Sequence, residues 1–334
     1  MNAERAKEIL DQFEGKRVLV VGDVMLDEYV WGRVSRVSPE APVMIVDADS
    51  HTFVPGGAAN VVNNVCALGG RAIIAGIVGE DGAAATLKEK LREEGADVAG
   101  LVAVRDRPTT LKTRVIAHTQ QGAQQVVRVD HERRDAIGAD VQASLLSFLS
   151  SAVKDCDALL LSDYQKGLLG RELVKSIVQT GRAAGKVMTG NLKPKGIGSH
   201  CRLSMMTLNV FEAGEASGLL LGDGGGSDTG TLREAGRMLL RKSGAENVLI
   251  TRGAHGLSLF SADGAYFELP AHPVEVFDGT GAGDTTITTL TLALASGATP
   301  AEAVTLANAA GAVVVRKLGV ATATRAEILD CVQE

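Results

Sequence analysis

Four cysteines, Cys66, Cys156, Cys201 and Cys331, are scattered along 334 residues without a single CxxC spacing. That pattern points to neither a zinc site nor a disulfide frame and fits a reduced, cytoplasmic enzyme. No apolar run approaches the roughly 20 residues that a membrane-spanning helix needs. Residues 1–15 read as a charged amphipathic helix, not as the apolar core of a signal peptide. Basic charge is not in excess either: 34 Lys and Arg face 40 Asp and Glu, for a net charge of −6. Such a surface is not built to attract nucleic acid or a membrane, although a local basic pocket stays open to it. The six histidines have no metal-ligand spacing. GxxxxGK[ST], HExxH and GxSxG are absent, and the first strand carries no GxGxxG. If phosphate is handled here, it is without a Walker-type loop.

What remains is ordinary globular material, 45% hydrophobic and 22% charged, long enough for one large α/β domain or two smaller ones. Residues 16–22 (KRVLVVG) form a short β-branched run of the kind buried in parallel sheets. Strand and helix patterns then alternate: a helix to Leu68, a strand over 71–78, a helix over 83–94, a strand over 158–162 and a helix over 171–184. Further strands are predicted over 186–188, 205–208 and 247–251, and Thr299-Pro300-Ala301-Glu302 is a capped helix start. The alternation predicts a three-layer α/β/α sandwich. Two stretches break it, near 29–55 and 109–130, with period-two alternation and prolines. They are expected to form a small antiparallel β lid over the strand ends.

The most informative segment is Asp278-Gly279-Thr280-Gly281-Ala282-Gly283-Asp284, which runs into a helix with Ile287, Leu290 and Leu294 at helical spacing. A glycine turn at a helix start aims unpaired N–H groups and the positive end of the helix dipole at one spot, which suits an anion. A carboxylate there repels that anion as a ligand but can serve as a base, which suggests phosphoryl transfer to a hydroxyl. A plain glycine turn with an N-cap aspartate is the alternative. Asp23 and Asp27 follow the first strand, where open α/β sheets place ligands. They read as acceptors for sugar hydroxyls or as turn and cap residues. Gly56-Gly57 with Asn60 offers close backbone approach and an amide, suited to a polyol or to a tight turn. Thr251-Arg252-Gly253-Ala254-His255-Gly256 could admit nucleotide phosphates, with His255 a surface loop residue. Asn209 and Glu212 could hold Mg²⁺ through water or could simply start a helix.

Taken in order, these motifs resemble the ribokinase-like (PfkB) family of sugar kinases over nearly the whole chain. The resemblance narrows with Gly22-Asp23-Val24-Met25-Leu26-Asp27, Ser35-Arg36-Val37-Ser38-Pro39-Glu40-Ala41-Pro42-Val43, Ser162-Asp163-Tyr164-Gln165-Lys166-Gly167 and Lys317-Leu318-Gly319. These are similar to the D-glycero-β-D-manno-heptose 7-phosphate kinases, which make the 1,7-bisphosphate on the way to ADP-heptose and the lipopolysaccharide core. The resemblance implies ATP and Mg²⁺ as cofactors, leaves a monovalent cation open, and implies a homodimer formed through the lid. Asp284 would be the base and Gly281, Ala282 and Gly283 the anion cradle. Asn209, Glu212, Thr251, Gly253, Gly256 and Asn308 would serve the nucleotide, with Glu212 reaching the metal through water. Asp23, Asp27, Gly56, Gly57 and Asn60 would bind the sugar, and Lys112 and Arg128 are candidates for its distal phosphate. Some relatives carry a fused nucleotidyltransferase, and none is expected here: residues 1–334 read as one kinase domain. Four positions depart from the family pattern. Glu28 stands where a basic residue is usual, Lys193-Pro194-Lys195-Gly196 replaces Asp-Pro-Lys-Gly, Thr207-Leu208-Asn209 replaces Thr-Pro-Asn, and Asn63 has no arginine nearby. The alternatives are a related kinase for another sugar, sugar phosphate or nucleoside, and a sugar-binding protein that has lost catalysis.

Overall fold

A computed structural model describes residues 1–119, 122–198, 200–222 and 229–333. After helix α1 (Ala3–Asp11), the apolar run forms strand β1 (Arg17–Gly22). The chain then leaves the main sheet for a long hairpin, β2 (Val24–Val37) and β3 (Met44–Gly57). It returns through α2 (Ala58–Ala67), β4 (Arg71–Gly79), α3 (Gly82–Glu93) and β5 (Asp97–Val104). A second excursion makes β6 (Thr110–Thr119) and β7 (Gly122–His131). Next come α4 (Ala139–Ala152), β8 (Ala158–Ser162), α5 (Arg171–Ala183) and β9 (Val187–Asn191). Then follow β10 (Met205–Asn209), α6 (Val210–Ser217), α7 (Thr229–Ser243) and β11 (Asn247–Thr251). The antiparallel pair β12 (Leu257–Ser261) and β13 (Tyr266–Leu269) precedes α8 (Ala282–Ala295), α9 (Pro300–Val314) and α10 (Arg325–Gln333).

The main sheet has nine strands in the order β13-β12-β11-β10-β9-β8-β1-β4-β5, parallel from β11 to β5. Successive residues of β1 enter different cores: Val18 and Val20 join α1, α2, α8 and α9, while Leu19 and Val21 join α4 and α5. That division is the three-layer sandwich the alternation predicts. Chain order reverses at β1, which lies between β8 and β4. The crevice for a ligand therefore opens at the C-terminal ends of β1 and β8.

The two excursions form a separate sheet in the order β3-β2-β6-β7. Each is an antiparallel hairpin, and the two hairpins join along β2 and β6 in parallel. The strands are longer than the alternation alone marked, because β2 begins one residue after Asp23 and β3 ends at Gly57.

Helix α8 differs from its sequence pattern in an informative way. Spaced leucines and isoleucine suggest one apolar face, yet every residue from Asp284 to Ala293 is buried, five threonines included. The helix packs against α2, α9, β8 and β9, so it has no face left for water. Four of these hydroxyls have partners: Thr285 donates to Asn64 Oδ1, Thr288, Thr289 and Thr291 donate to the carbonyls four residues earlier, and Thr291 meets Thr189 at 2.6 Å.

Candidate active site

The C-terminal ends of the main-sheet strands carry Asp23, Asn209 and Thr251 of the predicted residues. Gly22 pairs with Ser162 and Ser162 with Asn191, so Asp23 and Asp163 emerge side by side, and Lys193, two residues past Asn191, is tied to Asp163 by its N–H; Asn209 pairs with Thr251 farther along. The glycine turn arrives above these strand ends. Gly281 has φ +82°, and a Cβ there would come within 3.1 Å of the Asn60 Nδ2. The left-handed φ is why the turn favours glycine at this position, and the contact adds to it. In the first turn of α8, the N–H groups of Gly283 and Asp284 find no acceptor among the described residues, whereas Ala282 N–H reaches back to the Gly279 carbonyl at 3.3 Å.

Asp284 is buried at the base of this cradle. Asn60 Nδ2 donates to its Oδ2 at 2.7 Å, and the Tyr164 hydroxyl donates to its Oδ1 at 2.5 Å. The Asn60 amide is itself oriented: Asn64 Nδ2 donates to Asn60 Oδ1 at 3.2 Å, and Thr285 Oγ1 donates to Asn64 Oδ1 at 2.8 Å. Burial pushes the Asp284 carboxyl above its ordinary value, and the two donors only partly restore its acidity. The Tyr164 hydroxyl is pushed well up, first by burial and then by the adjacent carboxylate, so it stays a neutral donor. Each Asp284 oxygen keeps a second lone pair for an incoming hydroxyl.

Asp23 holds the loop that carries Tyr164. Its Oδ2 accepts the Tyr164 and Lys166 N–H groups at 2.8 and 3.1 Å, while Asp163 accepts those of Gln165 and Lys193 at 2.8 and 3.0 Å. Gln165 is in the left-handed region at φ +54°, which these carboxylates maintain. The other Asp23 oxygen, Oδ1, is buried with no hydrogen-bond partner among the described residues. An orphaned carboxylate oxygen in a crevice fits a donor hydroxyl from a ligand. Asp27 lies farther along β2, where its carboxylate pairs with Arg114 of β6. A Cβ at Gly56 would meet Asp27 Oδ2 at 2.1 Å, so the glycine pair is shaped around these aspartates.

The lid register puts cations over the site. Asp27, Lys112 and Asp130 lie side by side across β2, β6 and β7, and the next row on that face is Tyr29, Arg114 and Arg128. Lys112 is half-buried; burial lowers its pKa, and Lys166 adds to the effect. Lys166 pairs with Glu132 at 2.5 Å. Arg128 pairs with Asp130 at 2.8 and 3.0 Å on the exposed part of its strand. Glu28, the departure from the family pattern, accepts from Thr113 at 2.6 Å and meets His51 at 2.8 Å.

On the other side of the turn is a cavity of about 660 Å³, with Thr251, Gly253, Gly256, Gly283, Ala307 and Asn308 among its lining residues. It extends from the cradle along α9, and Asn308 is fixed by donating to the Pro270 carbonyl at 2.9 Å. His255 is exposed on the loop at its rim. Asn209 and Glu212 do not line this cavity; they form a capping box at the start of α6. One Glu212 oxygen accepts from Asn209 N–H at 2.9 Å, and the other pairs with Lys193.

Tyr164, Lys193, Asn64, Thr285 and Arg114 were not among the predicted site residues, although the structure puts all five in or around the site. Tyr164 and Lys193 stand in segments that the motifs single out. Asn64 and Thr285 carry no sequence signal of their own, because one amide or hydroxyl on a buried helix looks like any other.

An anion cradle at a helix start, a buried carboxylate beside it and a cavity along the next helix define a phosphotransferase of α/β type. Residues 16–327 match the family described as pfkB family carbohydrate kinase, and the chain belongs to that family. It is 40% identical over 322 residues to the Bifunctional protein HldE of Desulfatibacillum aliphaticivorans, covering 96% of this chain and 64% of that relative. The chain thus spans a little under two thirds of the relative's length. Among solved structures it resembles phosphofructokinase-2 from Escherichia coli in complex with potassium, with a TM-score of 0.77, 18% identity and coverage of 96% and 98%. It also resembles Arabidopsis thaliana ribokinase complexed with ribose and ATP, with a TM-score of 0.72, 18% identity and coverage of 96% and 99%. At such identity these two structures speak for the fold.

Proposed function

We propose that the chain transfers the γ-phosphoryl group of ATP to O1 of D-glycero-D-manno-heptose 7-phosphate, giving the 1,7-bisphosphate for ADP-heptose and the lipopolysaccharide core. The observation that carries the kinase chemistry is Asp284, buried and raised in pKa at the base of the helix cradle. The acceptor hydroxyl attacks the γ-phosphorus, the bond from that phosphorus to the bridging oxygen breaks, and ADP leaves with the electron pair. The hydroxyl proton passes to Asp284. Asn60 and Tyr164 hold the carboxylate in place, and the open N–H groups of α8 face the charge that spreads over the phosphoryl oxygens. Asp23 Oδ1 is free to accept from a sugar hydroxyl. The nucleotide base enters the cavity along α9.

Among the described residues no cluster of three acidic, His or Cys side chains could hold a metal. Both Glu212 oxygens are engaged, which suits Mg²⁺ carried in on the nucleotide, with Glu212 reaching it through water. When bound, the ion neutralises phosphate charge.

Heptose 7-phosphate is favoured by the Ser162–Gly167 motif, which here places Tyr164 on the base, and by Lys112, Arg114 and Arg128 on one face of the lid. Lys112 and Arg128 would meet the distal phosphate. The opposite face carries exposed Val127 and Val129, which suits a homodimer formed through the lid. No helix among the described residues is long and apolar enough to cross a membrane, and a cytoplasmic sugar-phosphate kinase is the reading that goes with it. A panel of sugars, sugar phosphates and nucleosides with Mg-ATP tests the assignment. Turnover confined to heptose 7-phosphate supports it, turnover of another acceptor moves the chain to a sister kinase, and no turnover of any acceptor favours a sugar-binding protein.

A further inference from the structure

Lys193 follows strand β9, two residues past its last residue, Asn191. Its backbone N–H is fixed on Asp163 at 3.0 Å, which ties it to the loop that carries Tyr164. Its ammonium is paired with Glu212 and lies 5.5 Å from the centroid of the Tyr164 ring, whose hydroxyl touches Asp284. A cation therefore lies one tyrosine ring away from the base. It is also the cation that favours the ionised form of Asp284. The α8 cradle offers only neutral N–H donors, and those approach the phosphates from the helix side. A transferring phosphoryl group carries charge on three equatorial oxygens, and the strand-end side needs a donor of its own.

We propose that Lys193 is a phosphate-binding cation of the transfer site: its ammonium leaves Glu212 to engage the terminal phosphate of the nucleotide from the strand-end side. Glu212 holds the side chain in an extended position until then and is freed for the water shell of the metal as Lys193 moves. This assignment rests on the kinase reading above.

Calorimetric titration of the full chain without divalent cation separates the possibilities, using ATP, ADP and adenosine against wild type, Lys193→Met and Lys193→Arg. Loss of one charge-assisted contact predicts an ATP affinity on the order of ten- to a hundredfold weaker in Lys193→Met. Adenosine affinity stays within about twofold, reporting that the cavity is intact, ADP suffers less than ATP, and Lys193→Arg recovers most of the loss. A Lys193 that merely braces Glu212 would leave the three ligands unchanged or weaken them together, and either result overturns the assignment. If wild type binds neither ATP nor adenosine, the kinase reading fails and takes this inference with it.

Discussion

Two aspartates of this molecule are almost equally hidden, Asp27 on the lid at 4% exposure and Asp284 under the turn at 6%, yet they are built for opposite ends. Asp27 is matched by a full charge, Arg114, which also lies over the Tyr29 ring. Asp284 receives only neutral donors, an amide and a phenol. A buried carboxylate matched by an arginine is a paired charge, and removing either partner strands the other. One held by neutral groups in a dry site keeps its appetite for a proton, which is the property a general base needs. Partner charge, more than burial, distinguishes these two aspartates.

The largest effect should come from removing the unmatched carboxylate. Asp284→Asn is expected to lower kcat by about 10²–10⁴-fold, while adenosine binding in the α9 cavity changes little. The same substitution should raise stability near neutral pH. The folded carboxyl has the higher pKa, so between its unfolded and folded values the native state holds more protons and wild-type stability falls as pH rises. Above both values the cost is complete, and below the unfolded value it disappears. Urea unfolding of the two proteins at acid and neutral pH measures the difference.

Arg114→Met attacks the matched aspartate. It leaves Asp27 buried without its partner and should cost about 3 kcal/mol of stability, read from urea midpoints. The acceptor KM should rise more than kcat falls, because the lid positions the sugar and does not take its proton. A loss of kcat as deep as that of Asp284→Asn would erase the distinction between the two sites. The smallest expected effect is at the turn backbone. Gly281→Ala must hold φ +82° and press on Asn60, which costs about 1–2 kcal/mol, visible as a Tm a few degrees lower.

The sequence was legible wherever one residue type at one position decides the matter. The β-branched run of β1, the Thr299–Glu302 capping box and the glycine turn into α8 need no tertiary knowledge, and all three stand as expected. The lid excursions were visible from their alternation, but not the parallel joint between β2 and β6, since register between distant hairpins is a property of the folded sheet. Asp23 read as a sugar ligand from its place after β1; that one of its oxygens ties down the Tyr164 loop required coordinates. Asn209 and Glu212 carried two readings, and their capping box favours the helix start without removing Glu212 from the site. The Asn60-Asn64-Thr285 relay was invisible, because Asn64 and Thr285 lie 221 residues apart and meet only when α2 packs on α8.

Ionisation of Asp284 should be what switches the enzyme on, and the acid limb of kcat/KM against pH reads that directly. Activity falls as pH drops through the pKa of the base. For wild type the midpoint should lie above the ordinary carboxylate range, because burial raises Asp284. Tyr164→Phe removes a donor that lowers this pKa, so the limb should move to higher pH while adenosine binding is retained. A midpoint in the ordinary carboxylate range, unmoved by Tyr164→Phe, would contradict the assignment of Asp284 as the base.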